Sequence, residues 1–156
     1  MDNVVVADVM TRDVEKVKPD TSLLECAKKM IKKRVSCLPI VNNNKLVGFI
    51  SEKDILWALV KKSKEDLSKI KAIEVSPKKI ATIKPLATIE ETVNKIKKFK
   101  FNKLPVIHDN SLIGIITTKD ILNFHPELYP ELKELSKIKE DSKKLKKMKT
   151  KQPIKK

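Results

Sequence analysis

Glycine is nearly missing from this sequence: its 156 residues include two, Gly48 and Gly114. A phosphate-cradling loop of the P-loop type needs several glycines within one turn, so that chemistry is excluded. Cysteine is equally scarce. Cys26 and Cys37 stand 11 positions apart, form no CxxC pair and read as buried apolar fillers. A zinc site needs about four nitrogen or sulfur ligands at suitable spacing, and no metal ligands are assigned. His108 and His125 have no acidic or cysteine companion at catalytic spacing, which leaves them solvated or capping roles. With no nucleophile-base pair, no catalytic residue and no cofactor are expected, and an enzyme fragment is the least favoured reading.

Long apolar runs are missing too, since none approaches the roughly 18 residues of a membrane span. The first ten residues, MDNVVVADVM, lack the basic flank and cleavage site of a secretory signal. The expectation is a cytoplasmic protein with no membrane partner. Hydrophobic residues at 40% suffice for a core, and the length fits one domain or two small halves sharing it.

Basic charge, by contrast, is abundant. The formal net charge is +15, and residues 137–156 hold ten lysines against Glu140 and Asp141, a net +8. The remaining residues carry +7, so the tail holds about half of the excess. Such a run suits either a solvated tail or salt-dependent binding to a polyanion. It lacks interleaved aromatics and arginines, so base stacking and sequence readout are not expected.

The strongest feature is an internal repeat. GFISEKDIL at 48–56 returns as GIITTKDIL at 114–122, an offset of 66. The offset holds without a gap from Asp8–Leu56 onto Glu74–Leu122, pairing Pro19 with Pro85, Glu25 with Glu91, and Leu38-Pro39 with Leu104-Pro105. Each copy predicts one string of elements. VEKV (14–17) and IATI (80–83) alternate apolar and polar residues and read as short strands. Thr21 or Ser22, and Thr88, are placed to cap helices, with Glu25 or Glu91 in the first turn. Leu23, Leu24, Ala27, Met30 and Ile31 form the apolar face of the first helix; Ile89, Val93, Ile96 and the stem of Lys97 form that of the second.

CLPIV and KLVGFI, then KLPVI and SLIGII, read as hairpins turning at NNN and HDN. Further helices open at Glu52 and Thr118. The fold class is α+β: two tandem β-α-β-β-α repeats with pseudo-two-fold symmetry, plus a basic C-terminal helix or tail. A three-stranded sheet with helices on one side cannot bury both faces alone, so the pair is the folding unit. The boundaries are repeat one at 4–62, a polar linker at 63–72, repeat two at 73–124 and a basic helical or disordered tail at 125–156. In the last segment Leu132, Leu135, Ile138, Leu145 and Met148 recur at helical spacing.

DVMTRDV at 8–14, RVSCLPIV at 34–41, FNKLPVI at 101–107 and the two GxIxxKDIL stretches resemble the CBS domain. Two copies over about residues 4–124 resemble a tandem CBS pair, or Bateman module. The resemblance implies a flat pseudo-two-fold module that tends to form a homodimer. It also implies an adenosine-containing ligand, AMP, ADP, ATP or S-adenosylmethionine, held in clefts between the copies. By that resemblance Ser51 or Thr117 reaches phosphate or ribose, and Asp54 or Asp120 grips the ribose hydroxyls. Lys53 and Lys119 add positive charge. Adenine lies among Ile40, Val106, Phe49 and Ile115, covered by Val35 or Phe101, and Thr82 offers a further contact.

A second reading stands beside this one. Ser51-x-x-Asp54 and Thr117-x-x-Asp120 have the spacing of a capping box, which stabilises a helix without any ligand. The copies also differ. DVMT opens the first where EVSP (74–77) opens the second, and Ser36 and Asn102 stand where the family often has aromatic or histidine residues. The two clefts are therefore expected to differ. The favoured function is a non-catalytic sensor signalling to an unidentified effector protein; the alternative is a nucleic-acid-associated protein acting through its lysine tail.

Overall fold

Helix α2 (Leu23–Lys33) starts where Ser22 Oγ accepts the Glu25 amide, and α5 (Ile89–Phe99) starts where Thr88 and Glu91 form a reciprocal capping box. Both end on a left-handed residue, Arg34 (φ 56°) and Lys100 (φ 57°), instead of the usual glycine. Each is followed by a hairpin: β1 (Cys37–Asn42) with β2 (Lys45–Ser51), and β3 (Lys103–His108) with β4 (Ser111–Thr117). Asn43-Asn44 and Asp109-Asn110 turn them with positive φ at both central positions, the geometry that matches strand twist. Helices α3 (Glu52–Lys61) and α6 (Thr118–Phe124) follow directly. These coordinates are a computed structural model that describes residues 3–133. The helical spacing from Leu135 onward and the lysine tail at 137–156 lie outside the described residues.

Two short helices were not foreseen: α1 (Val6–Val9) and α4 (Ala72–Val75), each opening a repeat. They are exchanged between the halves. Val6 and Met10 pack into the core of the second repeat with Ile89, Val93, Leu104 and Ile116. Ile70 and Ala72 pack into the core of the first, with Leu23, Cys26, Leu38 and Ile50. Backbone hydrogen bonds fix the exchange, from Val6 and Ala7 to Ala87 and Pro85, and from Ala72 and Ile73 to Thr21 and Pro19. Neither core is complete without residues from outside its own repeat, which is why the pair folds together. The stretch 63–72, read as polar, thus supplies two core residues.

Proline trims the expected first strands. Val17 donates to the Pro39 carbonyl and accepts from Val41, a single parallel bridge to Ile40. Extension one way needs an N–H from Pro19 and the other way one from Pro39, and neither has it. Pro85 and Pro105 limit Ile83 in the same manner, to one bridge with Val106. The expected pair of three-stranded sheets also gives way to one antiparallel sheet, ordered β1-β2-β4-β3 and joined at Lys45 and Ser111.

The apolar face of α2 is narrower than expected. Leu23, Cys26 and Met30 are buried, while Ile31 is 80% exposed. In α3, Ile55 and Ala58 face the core, leaving Leu56, Trp57, Leu59 and Val60 exposed. His125, expected to be solvated or capping, is the C-cap of α6 and is buried there rather than solvated, with Nδ1 2.8 Å from Glu127 Oε1. No helix among the described residues is long and apolar enough to cross a membrane.

The two glycines adopt no left-handed conformation; what they provide is close approach. A Cβ at Gly114 would lie 2.6 Å from Met10 Sδ and 2.9 Å from the Thr11 carbonyl oxygen. At Gly48 it would lie 2.7 Å from Ser76 Oγ and 2.8 Å from Ile40 Cδ1. Each glycine therefore admits the lead-in segment of the other repeat. Thr11 closes on Ile115 with two backbone hydrogen bonds. Its counterpart, Pro77, has no N–H, and the Ser76 hydroxyl substitutes by bonding the amide and the carbonyl of Phe49.

Candidate functional site

Ser51 and Thr117 end their strands and begin the next helices. Thr117 Oγ1 accepts the Asp120 amide at 3.1 Å, and Asp120 Oδ2 accepts the Thr117 amide at 3.0 Å. Asp54 Oδ2 accepts from both the amide and the hydroxyl of Ser51, at 2.8 and 2.9 Å. Both capping boxes are thus formed. Each occupies only one carboxylate oxygen, and an ionised carboxylate has a second with acceptor capacity of its own.

Beside Thr117 lies a cleft of about 690 Å³ between the repeats. The first repeat contributes Thr11 and the lead-in residues 13–15, the end of α2 through Arg34, the start of β1 and Glu52; the second contributes Lys103, Ile115, Thr117 and Lys119. Four expected site residues line it: Val35, Ile115, Thr117 and Lys119. Asp120 is attached to its wall through the Thr117 cap. Ser51, Lys53, Asp54, Phe49 and Phe101 are the counterparts, 66 positions away, of Thr117, Lys119, Asp120, Ile115 and Val35, and do not line this cleft. Nor does Thr82, whose carbonyl accepts the Lys95 ammonium.

Ile40 and Val106, expected beside adenine, are wholly buried in the two cores. Strand alternation is the reason. Residues 37 and 39 share one face of β1 while 38 and 40 share the other, so Cys37 and Pro39 line the cleft where Ile40 does not.

Besides the expected Lys119, charge in the cleft is contributed by Arg34, Lys103, Asp13, Glu15 and Glu52, which sequence reasoning missed. Arg34 and Lys119 are exposed, whereas Lys103 is half-buried and donates to Ser36 Oγ in the other repeat. Glu15 is paired with Lys29 and Lys33, both at 3.6 Å; Asp13 and Glu52 are exposed. Burial raises the Cys37 thiol pKa, an effect partly opposed by Lys103 beside it. The one available signal was the repeat itself, which aligns Lys103 with the unlike residue Cys37. Among the described residues, no group of three or more His, Cys, Asp or Glu is arranged to hold a metal.

This arrangement has known relatives. The uncharacterized protein MJ0450 of Methanocaldococcus jannaschii is 33% identical over 123 residues, covering 76% of this chain and 65% of its own length. The chain spans 23% of the length of two enzymes that it also matches. Among solved structures, the CBS domain pair of protein MJ0100 in complex with 5'-methylthioadenosine and S-adenosyl-L-methionine superposes with a TM-score of 0.70. It is 27% identical and covers 81% of this chain and 98% of that one. CBSX2 in complex with AMP gives 0.69 at 27% identity, covering 80% and 97%. The CBS domain family model matches residues 6–61 and again 71–127. The repeated elements, their exchanged lead-in helices and these matches agree, and the chain belongs to the CBS-domain family as a tandem pair.

Proposed function

We propose that this protein is a non-catalytic regulatory module that binds one adenosine-containing ligand in the cleft beside Thr117. The observation that carries the reading is the cleft itself. At about 690 Å³ it falls within the range of small-molecule sites, roughly 300–1,000 Å³. Ile31, Val35 and Ile115 supply apolar surface for a base. Thr117 and Lys119 supply polar groups, and the second oxygen of Asp120 is the acceptor for a ribose hydroxyl. The adenosine ligands of the two neighbouring structures support the same ligand class. Asp54 is assigned the capping role, because the cleft lies beside its counterpart.

The test is calorimetric titration of AMP, ADP, ATP, S-adenosylmethionine and methylthioadenosine into wild type, Asp54→Ala and Asp120→Ala. A lost charge-assisted hydrogen bond costs about 1.5–3 kcal/mol, so Asp120→Ala weakens binding about tenfold or more. Asp54→Ala binds as wild type does. Absence of binding by every ligand rejects the reading, and loss in Asp54→Ala alone assigns the site to the other cleft.

In this reading the module is cytoplasmic, works as a homodimer and passes its signal to a separate effector protein. Exposed Leu56, Trp57, Val60 and Phe124 support self-association. A second reading rests on the lysines at 137–156, whose charge density suits a nucleic acid. Deleting that segment abolishes binding to polynucleotide at low salt if the reading holds.

A further inference from the structure

Residues 95–103, KIKKFKFNK, set lysines around two aromatic rings at the C-terminal end of α5 and the entry to β3. Phe99 is 44% exposed and Phe101 47%. Lys98 Nζ lies 5.4 Å from the centre of the Phe99 ring, and no ion pair among the described residues includes Lys98. A third exposed ring, Tyr129, has Lys133 Nζ 5.4 Å from its centre. Its segment is joined to α5 by the ion pair Lys97–Glu131 and precedes the lysines at 137–156 in the chain. Residues 92–108 contain five lysines and no Asp or Glu. The carboxylates of α5, Glu90 and Glu91, stand in its first turn, at the far end.

The first repeat shows that the fold does not require such a surface. There Lys33 and Val35 stand at the positions of Phe99 and Phe101, and Glu15 neutralises Lys29 and Lys33 at 3.6 Å each. The counterpart of Glu15 is Ala81, and Lys95, the counterpart of Lys29, donates to the Thr82 carbonyl. The second repeat has thus lost a carboxylate and gained two exposed rings at the same place. Leaving apolar rings in water is unfavourable, and rings beside lysines fit a partner that is flat and anionic.

We propose that the end of α5 is a binding surface for single-stranded nucleic acid, with bases stacked on Phe99 and Phe101 and phosphates beside Lys98 and Lys100. The inference extends the second reading above without depending on the tail, and gives the folded repeat the aromatic rings that the tail lacks. A base stacked on Phe99 replaces its weak, exposed contact with Lys98 and brings a phosphate to that ammonium. A duplex keeps its bases enclosed and offers the rings nothing to stack on. An anionic membrane fits less well, because interfacial binding buries the apolar face of a helix, and that face of α5 already lies in the core. Lys32 and Lys33, the counterparts of Lys98 and Phe99, do not line the cleft beside Thr117. By the symmetry of the repeats, Lys98 and Phe99 therefore lie outside the adenosine clefts.

The experiment follows fluorescence anisotropy of a labelled oligouridylate, and of the same strand paired with oligoadenylate, on titration with the full chain. Vesicles of phosphatidylcholine and phosphatidylserine are tested in parallel by sedimentation. The proteins are wild type, Phe99→Ala and Phe99→Trp, with Leu86→Ala as a control for loss of an exposed apolar side chain. Wild type is expected to bind the single strand more tightly than the duplex. Phe99→Ala weakens the single strand at least about fivefold, the loss of one stacked base, and leaves the duplex within about twofold. Phe99→Trp retains the single-strand affinity, and Leu86→Ala changes neither. Unchanged single-strand affinity in Phe99→Ala, or equal losses for single strand and duplex, overturns this inference and leaves the tail reading standing. Vesicle binding that Phe99→Ala weakens while the single strand is unaffected assigns the surface to a membrane and overturns it too. Absence of binding to both nucleic acids overturns the tail reading and this inference together.

Discussion

Replacing each glycine by alanine separates two kinds of crowding. Neither Gly48 nor Gly114 has a positive φ, so alanine adopts the backbone and gains about 0.4–1 kcal/mol by restricting the unfolded chain. Against that gain stands the added methyl. At Gly48 both close atoms belong to side chains, Ser76 Oγ and Ile40 Cδ1, which adjust by rotation. At Gly114 one close atom is the Thr11 carbonyl oxygen, tied to Ile115 by hydrogen bonds of 2.9 and 3.0 Å. Relief there moves backbone and loosens the lead-in segment from the second repeat. Overpacking costs about 1–3 kcal/mol; backbone that must move places Gly114→Ala in the upper part of that range, a net loss of about 1–2.6 kcal/mol once the same entropic gain is counted. Gly48→Ala falls between about zero and 2 kcal/mol once the entropic gain is counted. In thermal denaturation followed by circular dichroism, Gly114→Ala lowers Tm by about 2–10 °C at about 2–4 °C per kcal/mol. A Tm for Gly114→Ala equal to or above that of Gly48→Ala refutes the reasoning, because it removes the distinction between a fixed carbonyl and a movable hydroxyl.

Further outcomes are expected. Ser51→Ala and Thr117→Ala each lose a helix cap and about 0.5–2 kcal/mol of stability in denaturant titration; unchanged midpoints would mean that the capping boxes contribute nothing in solution. Cys26 is wholly buried, and burial pushes its thiol up to about 11. The thiol therefore resists a disulfide reagent until the chain unfolds, and rapid native labelling would contradict its burial. Because its pKa is higher folded than unfolded, its contribution is fully present below about pH 9 and is lost as pH rises from about 9 towards about 11. Cys26→Ala should flatten that decline.

Local rules made much of the fold legible in the sequence. The 66-residue offset, the caps at Ser22, Thr88, Ser51 and Thr117, and the hairpin turns each depend on residues within a few positions of one another. The strands misread at 14–17 and 80–83 failed for a reason also present in the sequence, the prolines at 19, 39, 85 and 105. Their effect, however, depends on which strand lies alongside. Four of the thirteen expected site residues, Val35, Ile115, Thr117 and Lys119, line the cleft. Ile40 and Val106 were placed on the wrong face, since a short apolar strand does not announce which alternate residues meet a core.

The sequence by itself determined the two copies, their elements and the residue types that repeat, because helix periodicity, capping and turn conformations are properties of short stretches of chain. Only the tertiary structure decided that the lead-in helices exchange partners and that the cleft beside Thr117 takes residues from both repeats. It alone brought Lys103 to Ser36, 67 positions apart in the chain. Those outcomes follow from burying two incomplete cores at once, a condition that no single segment can satisfy or display.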